Sequence, residues 1–372
     1  MDKMNIFINY VYNLSNKKKS IESFQDTDEF KQIWNKQCSQ YNISEQPSIL
    51  PPVDRIIVIG DLHGDMDTTL KTLRIASVID DNNKWIGKNT VIVQVGDQID
   101  RCRYDGKKSC NQPNVTKNDE NSDIKILHFF TELHKSAQKQ GGAVYSLLGN
   151  HELMNVEGDM RYVSHKGIKE LDNYELENGD IIKDGMEARK YLFKPGNPIS
   201  NFLACTRQVA LIIGSNLFVH AGILPQIAEK YNIKDINMLM SLYLLDKLEE
   251  DKDKEDYNDI FNNYKSSPLW TRDIGKLGLS AYQSKYIKTT IDEDVCDKII
   301  GPLTKNYKVN NIYVGHTPLL ENGISSVCNK KIWLTDYGSS KAFDKFFTGN
   351  NIKEVQVLEI LNDNKFNIIK EN

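Results

Sequence analysis

The chain has 372 residues, of which 40% are hydrophobic and 26% are charged, a balance that excludes a fibrous or wholly disordered protein. Its 47 basic and 51 acidic side chains leave a formal net charge of −4, so no overall basic field attracts nucleic acid or an anionic membrane. No window approaches the roughly 20 apolar residues of a membrane span. The length fits either two domains of about 150 residues or one large α/β domain with insertions.

The cysteines are widely scattered and form no CxxC pair, which argues against a zinc ribbon or a disulfide framework at this length. The sequence therefore predicts a reducing, cytoplasmic location. The early lysines also follow the first apolar stretch, the reverse of the order in a secretory signal. The number of cysteines does not exclude catalysis by a nucleophilic cysteine with a histidine base, but no local cysteine-containing motif supports it. The six cysteines are Cys38, Cys102, Cys110, Cys205, Cys296 and Cys328.

Residues 1–52 are polar and end at Pro51-Pro52, which predicts an N-terminal extension that packs on the body or frays. From Arg55 onward, short β-branched runs each end in glycine and polar residues, as buried strands do. Amphipathic patterns at 68–78 and 124–139 indicate helices between the first three runs, and hence a β-α-β-α-β order. The predicted strands are 56–60, 91–96, 144–149, 216–222, 311–316 and 332–338.

Two stretches interrupt this alternation. Residues 103–122 are polar and predict a surface loop. Residues 225–305 predict a helical insertion, and its acidic run LEEDKDKEDYND is typical of a solvated helix face. No internal repeat is present. The side chains that follow each predicted strand are therefore the candidates for function, because ligands of open α/β sheets bind beyond the carboxyl ends of the strands.

The first predicted strand ends in Gly60-Asp61-Leu62-His63-Gly64. A carboxylate oxygen and an imidazole nitrogen two residues apart can face one small ion, and Gly64 permits a tight turn. This motif alone is weak evidence for a metal site, since an aspartate before a helix is often an N-cap.

The next strands end in the same way, with Asp97, Asp100 and Arg101 after the second and with Asn150 and His151 after the third. Helix capping by Asp97 and Asn150, and pairing of Arg101 with a surface acid, are the ordinary alternatives. They do not explain why three successive strands each end in glycine followed by a metal-capable oxygen. Two later strands add His220 and His316, each of which, taken singly, is typical of a core or capping histidine.

Taken in order, the motifs GDLHGD, GDQIDR, GNHE, FVHAG and VGHTP resemble those of the calcineurin-like metallophosphoesterases, in particular the phosphoprotein phosphatase branch. The resemblance covers residues 55–343. It implies an α/β sandwich of two mixed sheets flanked by helices. Because the five motifs must converge on one site, it also implies one catalytic domain over 53–372 with the insertion at 225–305.

The resemblance also implies a two-metal site that uses Mn, Fe or Zn ions. Asp97 would bridge the two ions, about 3.5–4 Å apart, and a water between them would become the attacking hydroxide. The first metal would be held by Asp61, His63 and Asp97, and the second by Asp97, Asn150, His220 and His316.

The remaining roles follow from the same resemblance. His151 would protonate the leaving alkoxide and Asp100 would orient it. Arg101 and Arg272, the latter in SPLWTRD, would bind the phosphate. Cys102 stands where the family usually has glycine, which implies a differently shaped rim and, as an alternative to an inert thiol, a redox-sensitive one.

The segment GHTP at 315–318 lacks the second histidine of the GHxH phosphodiesterases, and DYGSSKAF at 336–343 is similar to a segment of the bacterial-type, Shewanella-like phosphatases. The sequence thus predicts a phosphomonoester hydrolase acting on phosphorylated proteins (Ser/Thr or Tyr) or small phosphomonoesters. No membrane or nucleic-acid partner is expected, and the sequence identifies no regulatory subunit. The alternatives are a nucleotide or dinucleoside polyphosphate hydrolase, whose subfamily usually lacks the acid at Asp100, and a non-catalytic phospho-ligand-binding protein.

Overall fold

Two six-stranded mixed sheets form the centre of the computed structural model, which describes residues 28–43, 46–103, 108–279, 293–320, 323–346 and 354–371. The strands are β1 Ile49–Leu50, β2 Arg55–Ile59, β3 Val91–Gln94, β4 Ala143–Leu147, β5 Tyr174–Glu175, β6 Ile181–Ile182, β7 Arg207–Gln208, β8 Ala210–Ile213, β9 Asn216–Val219, β10 Asn311–Val314, β11 Ser325–Val327, β12 Ile332–Leu334, β13 Gln356–Leu361 and β14 Lys365–Lys370. The helices are α1 Asp28–Cys38, α2 Met66–Ile75, α3 Asp123–Gln138, α4 Asn150–Val156, α5 His165–Lys169, α6 Gly185–Phe193, α7 Pro198–Thr206, α8 Pro225–Lys230, α9 Ile233–Leu244, α10 Asp251–Phe261 and α11 Glu293–Tyr307.

The first sheet has the strand order β14-β13-β2-β3-β4-β7, and the second has the order β1-β8-β9-β10-β12-β11. Within the first, β2, β3, β4 and β7 are parallel, so their carboxyl ends meet at one edge. Within the second, β9, β10 and β12 are parallel and do the same. The predicted sandwich of two mixed sheets flanked by helices is confirmed.

The apolar runs of β2 show why these segments are strands buried on both faces. Ile56 and Val58 point into the space between the two sheets, where they pack with residues such as Phe218 of the second sheet. Ile57 and Ile59 point outward onto α2 and α3. A strand covered on both sides has no polar face, which explains the continuous hydrophobic pattern.

All six predicted strands are present, and each ends one to four residues earlier than predicted. The glycine and polar residues after each run leave the sheet instead of continuing it. The two predicted helices are also present, as α2 and α3. The C-terminal hairpin β13–β14, which extends the first sheet beyond β2, was not predicted.

The predicted insertion forms helices α8 to α11 between β9 and β10 in the described part of the chain. The acidic run lies largely on α10, where Tyr257, Ile260 and Phe261 are buried and the charged side chains mostly face solvent. The boundary between extension and catalytic domain stays a prediction. Residues 1–27 lie outside the described residues, while α1 packs on the body through Phe30 and Trp34.

The prediction of a chain without disulfides is wrong. Three disulfides, Cys38–Cys205, Cys102–Cys110 and Cys296–Cys328, pair all six cysteines. Sequence spacing could not show this because two of the pairs join residues 167 and 32 positions apart. Cys102 is therefore not a free thiol, and the argument from the cysteines for a reducing location loses its basis. No helix in the described residues is long and apolar enough to cross a bilayer.

Replacing both Cys38 and Cys205 with alanine should lower the free energy of unfolding by about 2–5 kcal/mol, because this disulfide closes the longest loop of the three. Urea unfolding without reductant measures the change. With reductant present the difference between variant and parent should shrink to the cost of the lost thiol side chains. Equal stability of variant and parent without reductant would show that the bond contributes nothing.

Candidate metal centre and active site

The six predicted metal ligands and His151 lie together where the two sheets open at their carboxyl ends. The first sheet contributes the residues that follow β2, β3 and β4, and the second contributes those that follow β9 and β10. Each of these residues is at most 7% exposed. They are Asp61, His63, Asp97, Asn150, His151, His220 and His316.

The chain turns sharply at several of these positions. His63, Asp97, Asp100 and His316 have φ angles of 46°, 52°, 73° and 65°, a left-handed conformation that is uncommon for residues other than glycine. Such backbone strain persists where the surrounding structure fixes it, and it concentrates at functional sites. At these four positions the left-handed backbone conformation makes the chain turn just after a strand ends.

Asp97 lies at the centre of the cluster. Its Oδ2 is 3.8 Å from Nε2 of both His63 and His151, and its Oδ1 is 3.4 Å from Nε2 of His220. A Cβ on Gly149 would lie 2.1 Å from Asp97 Oδ1, so only glycine permits this approach. Two groups of possible metal ligands result, His63–Asp97–His151 and Asp97–His220–His316, and Asp97 is common to both.

Asn150 completes the second group. Its Oδ1 is 3.0 Å from His220 Nε2 and 2.8 Å from His316 Nδ1. An amide oxygen, a carboxylate oxygen and two imidazole nitrogens therefore converge, a donor set that fits Mn, Fe or Zn. On the other side, Asp61 Oδ2 lies 3.8 Å from His63 Nε2.

The second nitrogen of each candidate histidine ligand contacts a backbone carbonyl. His220 Nδ1 lies 2.8 Å from Val95 O, His316 Nε2 lies 3.0 Å from Trp270 O, and His63 Nδ1 lies 3.3 Å from Ile99 O. A carbonyl accepts only from a protonated nitrogen, so each contact fixes the tautomer that presents the unprotonated nitrogen to the centre.

The electrostatics of the cluster also fit a cation. Burial, together with Asp336 and Asp97, raises the pKa of Asp61. Burial opposes ionisation of Asp97 too, but His220 and His151 outweigh it and hold its pKa well below the ordinary value. Burial and Arg103 hold the pKa of His63 well below its usual value, so this imidazole is neutral, as metal ligation requires.

Behind this cluster a buried hydrogen-bond chain supports His151. Its Nδ1 lies 2.7 Å from Asp100 Oδ2, and Asp100 Oδ1 accepts from Asn155 Nδ2 at 3.0 Å. Asn155 Oδ1 accepts from Arg189 Nε at 2.7 Å, and Arg189 Nη2 pairs with Asp123 Oδ2 at 2.8 Å. Sequence reasoning missed the last three residues, because no local motif marks them.

Glu152 is a second residue whose role the motif did not reveal. Its carboxylate accepts hydrogen bonds from the backbone N–H groups of Asp97 at 3.0 Å, Gln98 at 2.8 Å and Gly149 at 2.6 Å. Burial, with the nearby charge of Asp97, raises the pKa of Glu152 to about 7. Glu152 thereby ties the loop that carries Asp97 to the helix that carries Asn150 and His151.

The two arginines chosen for phosphate differ in placement. Arg101 is fully buried, and its Nη1 lies 2.8 Å from Asp65 Oδ2 and 2.7 Å from Ser340 Oγ. This guanidinium holds two segments together through its terminal nitrogens, and its buried Nε has no hydrogen-bond partner among the described residues. Arg272 is exposed beside the cluster, where its Nη1 donates to the carbonyl of His316 at 2.9 Å.

The family model for the calcineurin-like phosphoesterases matches residues 54–320, which is more than half of the chain and includes every candidate ligand. The chain belongs to this family. The resemblance inferred from the five motifs is thereby confirmed. The match begins immediately before β2 and ends four residues after His316.

Relatives agree with this assignment. The chain is 38% identical over 259 residues to the uncharacterized protein R398 of Acanthamoeba polyphaga mimivirus, covering 65% of this chain and 97% of that protein. It is 28% identical to Shewanella-like protein phosphatase 2 of Arabidopsis thaliana, over 86% of this chain and 78% of that one. The match to the Arabidopsis protein confirms the likeness to the Shewanella-like group.

Among solved structures, the cold-active protein-tyrosine phosphatase of a psychrophilic Shewanella species shares the fold. The TM-score is 0.58 at 20% identity, over 88% of this chain and 83% of that one.

Proposed function

We propose that this member of the phosphoesterase family is a metal-dependent phosphomonoester hydrolase acting on phosphorylated proteins, at serine and threonine or at tyrosine. The observation that carries the proposal is the position of Asp97 between two ligand groups, with the His151–Asp100 pair beside it. The names of the relatives, protein phosphatases of the Shewanella-like group, support the substrate class.

The geometry of the site suggests which residues bind metal ions and which bind the phosphate. Asp61, His63 and Asp97 would hold one transition-metal ion, and Asp97, Asn150, His220 and His316 the other. When bound, two such ions polarise phosphoryl oxygens and acidify water. Arg272 would bind the phosphate from the rim beside His316, and Arg101 has no role at the phosphate in this proposal.

His151 supplies the proton for the leaving alkoxide. Its Nδ1 faces Asp100 at 2.7 Å, so Nε2 is the atom directed toward the centre. Asp100 fixes the ring orientation through this contact. Asn155 and Arg189 hold Asp100 in turn. The imidazole of His151 is therefore positioned before substrate binds.

A substrate panel tests the proposal. The purified protein should hydrolyse p-nitrophenyl phosphate with Mn²⁺ and lose activity with a chelator. Phosphoserine, phosphothreonine and phosphotyrosine peptides, compared with a dinucleoside polyphosphate, then define the substrate. Preference for the dinucleoside polyphosphate, binding of phosphopeptide without hydrolysis, or full activity in metal-free buffer would each overturn it.

Replacing His151 with asparagine should lower kcat by about 10²–10⁴-fold, the usual contribution of a general acid, while both metal ions remain. Elemental analysis and steady-state kinetics measure the two effects separately. The half-buried His165, which lies outside the two ligand groups of the described residues and contacts the carbonyl of Asn111, is the control as His165→Asn. Loss of a metal ion from His151→Asn would make His151 a ligand instead of an acid.

Replacing Arg272 with alanine should lower kcat/KM at least about tenfold, because a charge-assisted contact to phosphate is lost. Lys276, a nearby exposed cation, serves as the control position. An unchanged kcat/KM would remove Arg272 from the substrate site.

The predicted cytoplasmic location stays a prediction. Its support was the expected absence of disulfides, and the three disulfide pairs take that support away.

A further inference from the structure

We propose that Arg103 is the guanidinium that binds the substrate phosphate on the His63 and His151 side of the centre, in the role that the motif suggested for Arg101. This inference rests on the proposed function and names a residue of that same site. No motif drew attention to Arg103, which follows GDQIDR-Cys102 in a segment predicted to be a surface loop.

The position of Arg103 is defined by two aromatic rings. Its guanidinium carbon lies 4.6 Å from the centre of the Phe343 ring and 5.8 Å from that of the Tyr162 ring. The Phe343 ring is 5.5 Å from the His63 ring, and the Tyr162 ring is 4.9 Å from the His151 ring. The guanidinium therefore lies beside the two histidines that flank one end of the cluster.

The surrounding charges place Arg103 within the field of the cluster. Burial lowers the pKa of Arg103, and the carboxylates of Asp97, Asp100, Asp336 and Asp61 raise it in part. Asp336 is itself buried, and its Oδ2 has no hydrogen-bond partner among the described residues. A guanidinium that neutralises such a cluster in part is well placed to receive a phosphate once cations occupy the carboxylates.

The donors of Arg103 are only partly used. Nη1 donates to the carbonyls of Asp100 at 3.2 Å and Cys102 at 2.9 Å. Within the described ranges, Nε and Nη2 have no partner, and the side chain is half-buried. These two nitrogens form one edge of the planar guanidinium, the edge that binds two phosphate oxygens at once.

Hydrogen bonds hold the backbone of Cys102 and the carbonyl group of Arg103. The N–H of Cys102 donates to Tyr162 O at 3.1 Å, and Lys345 Nζ donates to Arg103 O at 2.8 Å. Cys102 is also bonded to Cys110. A guanidinium held in place before substrate binds loses less entropy on binding.

Arg101 shows the contrast two residues earlier. Its Nη1 contacts Asp65 and Ser340, and its Nη2 donates to Asn118 O at 3.3 Å. Both terminal nitrogens are engaged, and the side chain is fully buried. Arg101 thus holds the loop together and leaves only its buried Nε without a partner in the described residues, whereas Arg103 leaves the two-nitrogen Nε–Nη2 edge available.

The test compares Arg103→Ala and Arg103→Lys with Arg161→Ala in the manganese-loaded full chain. Arg161 is a matched control, because it is 63% exposed, pairs with Asp159 and adjoins Tyr162. Calorimetric titration with inorganic phosphate gives the Kd, and p-nitrophenyl phosphate gives KM and kcat. Manganese content and the melting temperature are measured on every variant.

We expect Arg103→Ala to weaken phosphate binding and raise KM at least about tenfold, with manganese content and melting temperature unchanged. Arg103→Lys should recover only part of the loss, since an ammonium cannot reproduce the two-point contact. Arg161→Ala should match the parent.

Wild-type phosphate affinity in Arg103→Ala would overturn the inference, as would a loss of manganese or of thermal stability that accounts for the change. In either case Arg103 would be a counter-ion of the carboxylates. An inactive parent protein would overturn the proposed function instead, and the phosphate titration would still test Arg103.

Discussion

Replacing Asp97 with asparagine should abolish metal-dependent hydrolysis and remove at least one metal ion from the protein. Asp97 is the carboxylate common to both ligand groups, and its pKa is held well below the ordinary value, so it is ionised at neutral pH. Changes to residues that only support a ligand commonly cost about 10–100-fold in metal affinity or activity. Loss of a shared ligand should therefore exceed about 100-fold. Elemental analysis and kcat measure the result.

Asparagine has nearly the same shape as aspartate, so this change removes charge with little change in volume. Asp67→Asn is the matched control, because Asp67 is a half-exposed carboxylate on α2 that pairs with Lys341 outside the cluster. It should keep both ions and full activity. If Asp97→Asn also kept both, the shared-carboxylate arrangement would be wrong.

Replacing Arg189 with methionine should lower the free energy of unfolding by about 3–5 kcal/mol. The guanidinium is fully buried, 2.8 Å from Asp123 and 3.7 Å from Asp100. Removing it leaves two buried carboxylates without their cation, and breaking such a pair costs more than the pair contributes. Urea unfolding followed by circular dichroism measures the loss.

Two further variants separate this effect from a general effect on α6. Lys190→Met changes the neighbouring exposed cation, which pairs with Glu187 at the surface, and should alter stability by less than about 0.5 kcal/mol. Adding Asp123→Asn to Arg189→Met should restore part of the stability, because one unpaired charge is then gone. An Arg189→Met protein as stable as the parent would show that the buried chain contributes nothing.

The sequence was most informative where function depends on short motifs. Asp61, Asp97 and Asn150 lie two or three residues beyond the ends of β2, β3 and β4, and parallel strands end at one edge of a sheet, so the three side chains lie close together. The positions of the strands could therefore be predicted from local pattern, although not their exact ends, whereas the assignment of these side chains as metal ligands came from the family resemblance. The two later histidines, His220 and His316, joined the set only through the order of the motifs.

The choice between Arg101 and Arg103 could not be made from sequence. The two residues lie on either side of Cys102, and Asp100 directly before them has a φ of 73°. A left-handed residue redirects the chain that follows it, so which arginine faces the centre depends on backbone geometry that no motif states. The buried partner Asp65 and the aromatic rings of Tyr162 and Phe343 come from distant parts of the chain.

Long-range pairing was equally hidden. Arg189 and Asp123 are 66 positions apart, and Cys38 and Cys205 are 167 apart. Nothing in the local sequence distinguishes Arg189 from the other charged residues of α6. Contacts between residues this far apart in sequence form only when the whole chain packs. Each ligand motif, in contrast, lies within a single loop and can be read from a few consecutive residues.

The origin of the ligands in two different sheets has a thermodynamic consequence. Asp61, His63, Asp97 and Asn150 follow strands of the first sheet, and His220 and His316 follow strands of the second. A cation bound by both sets cross-links the halves of the sandwich, so its binding energy is also folding energy. At a free ion concentration 100 times the dissociation constant, one such site adds about 2.7 kcal/mol. If the proposed ions bind there, the stability of this protein would depend on the ion concentration around it.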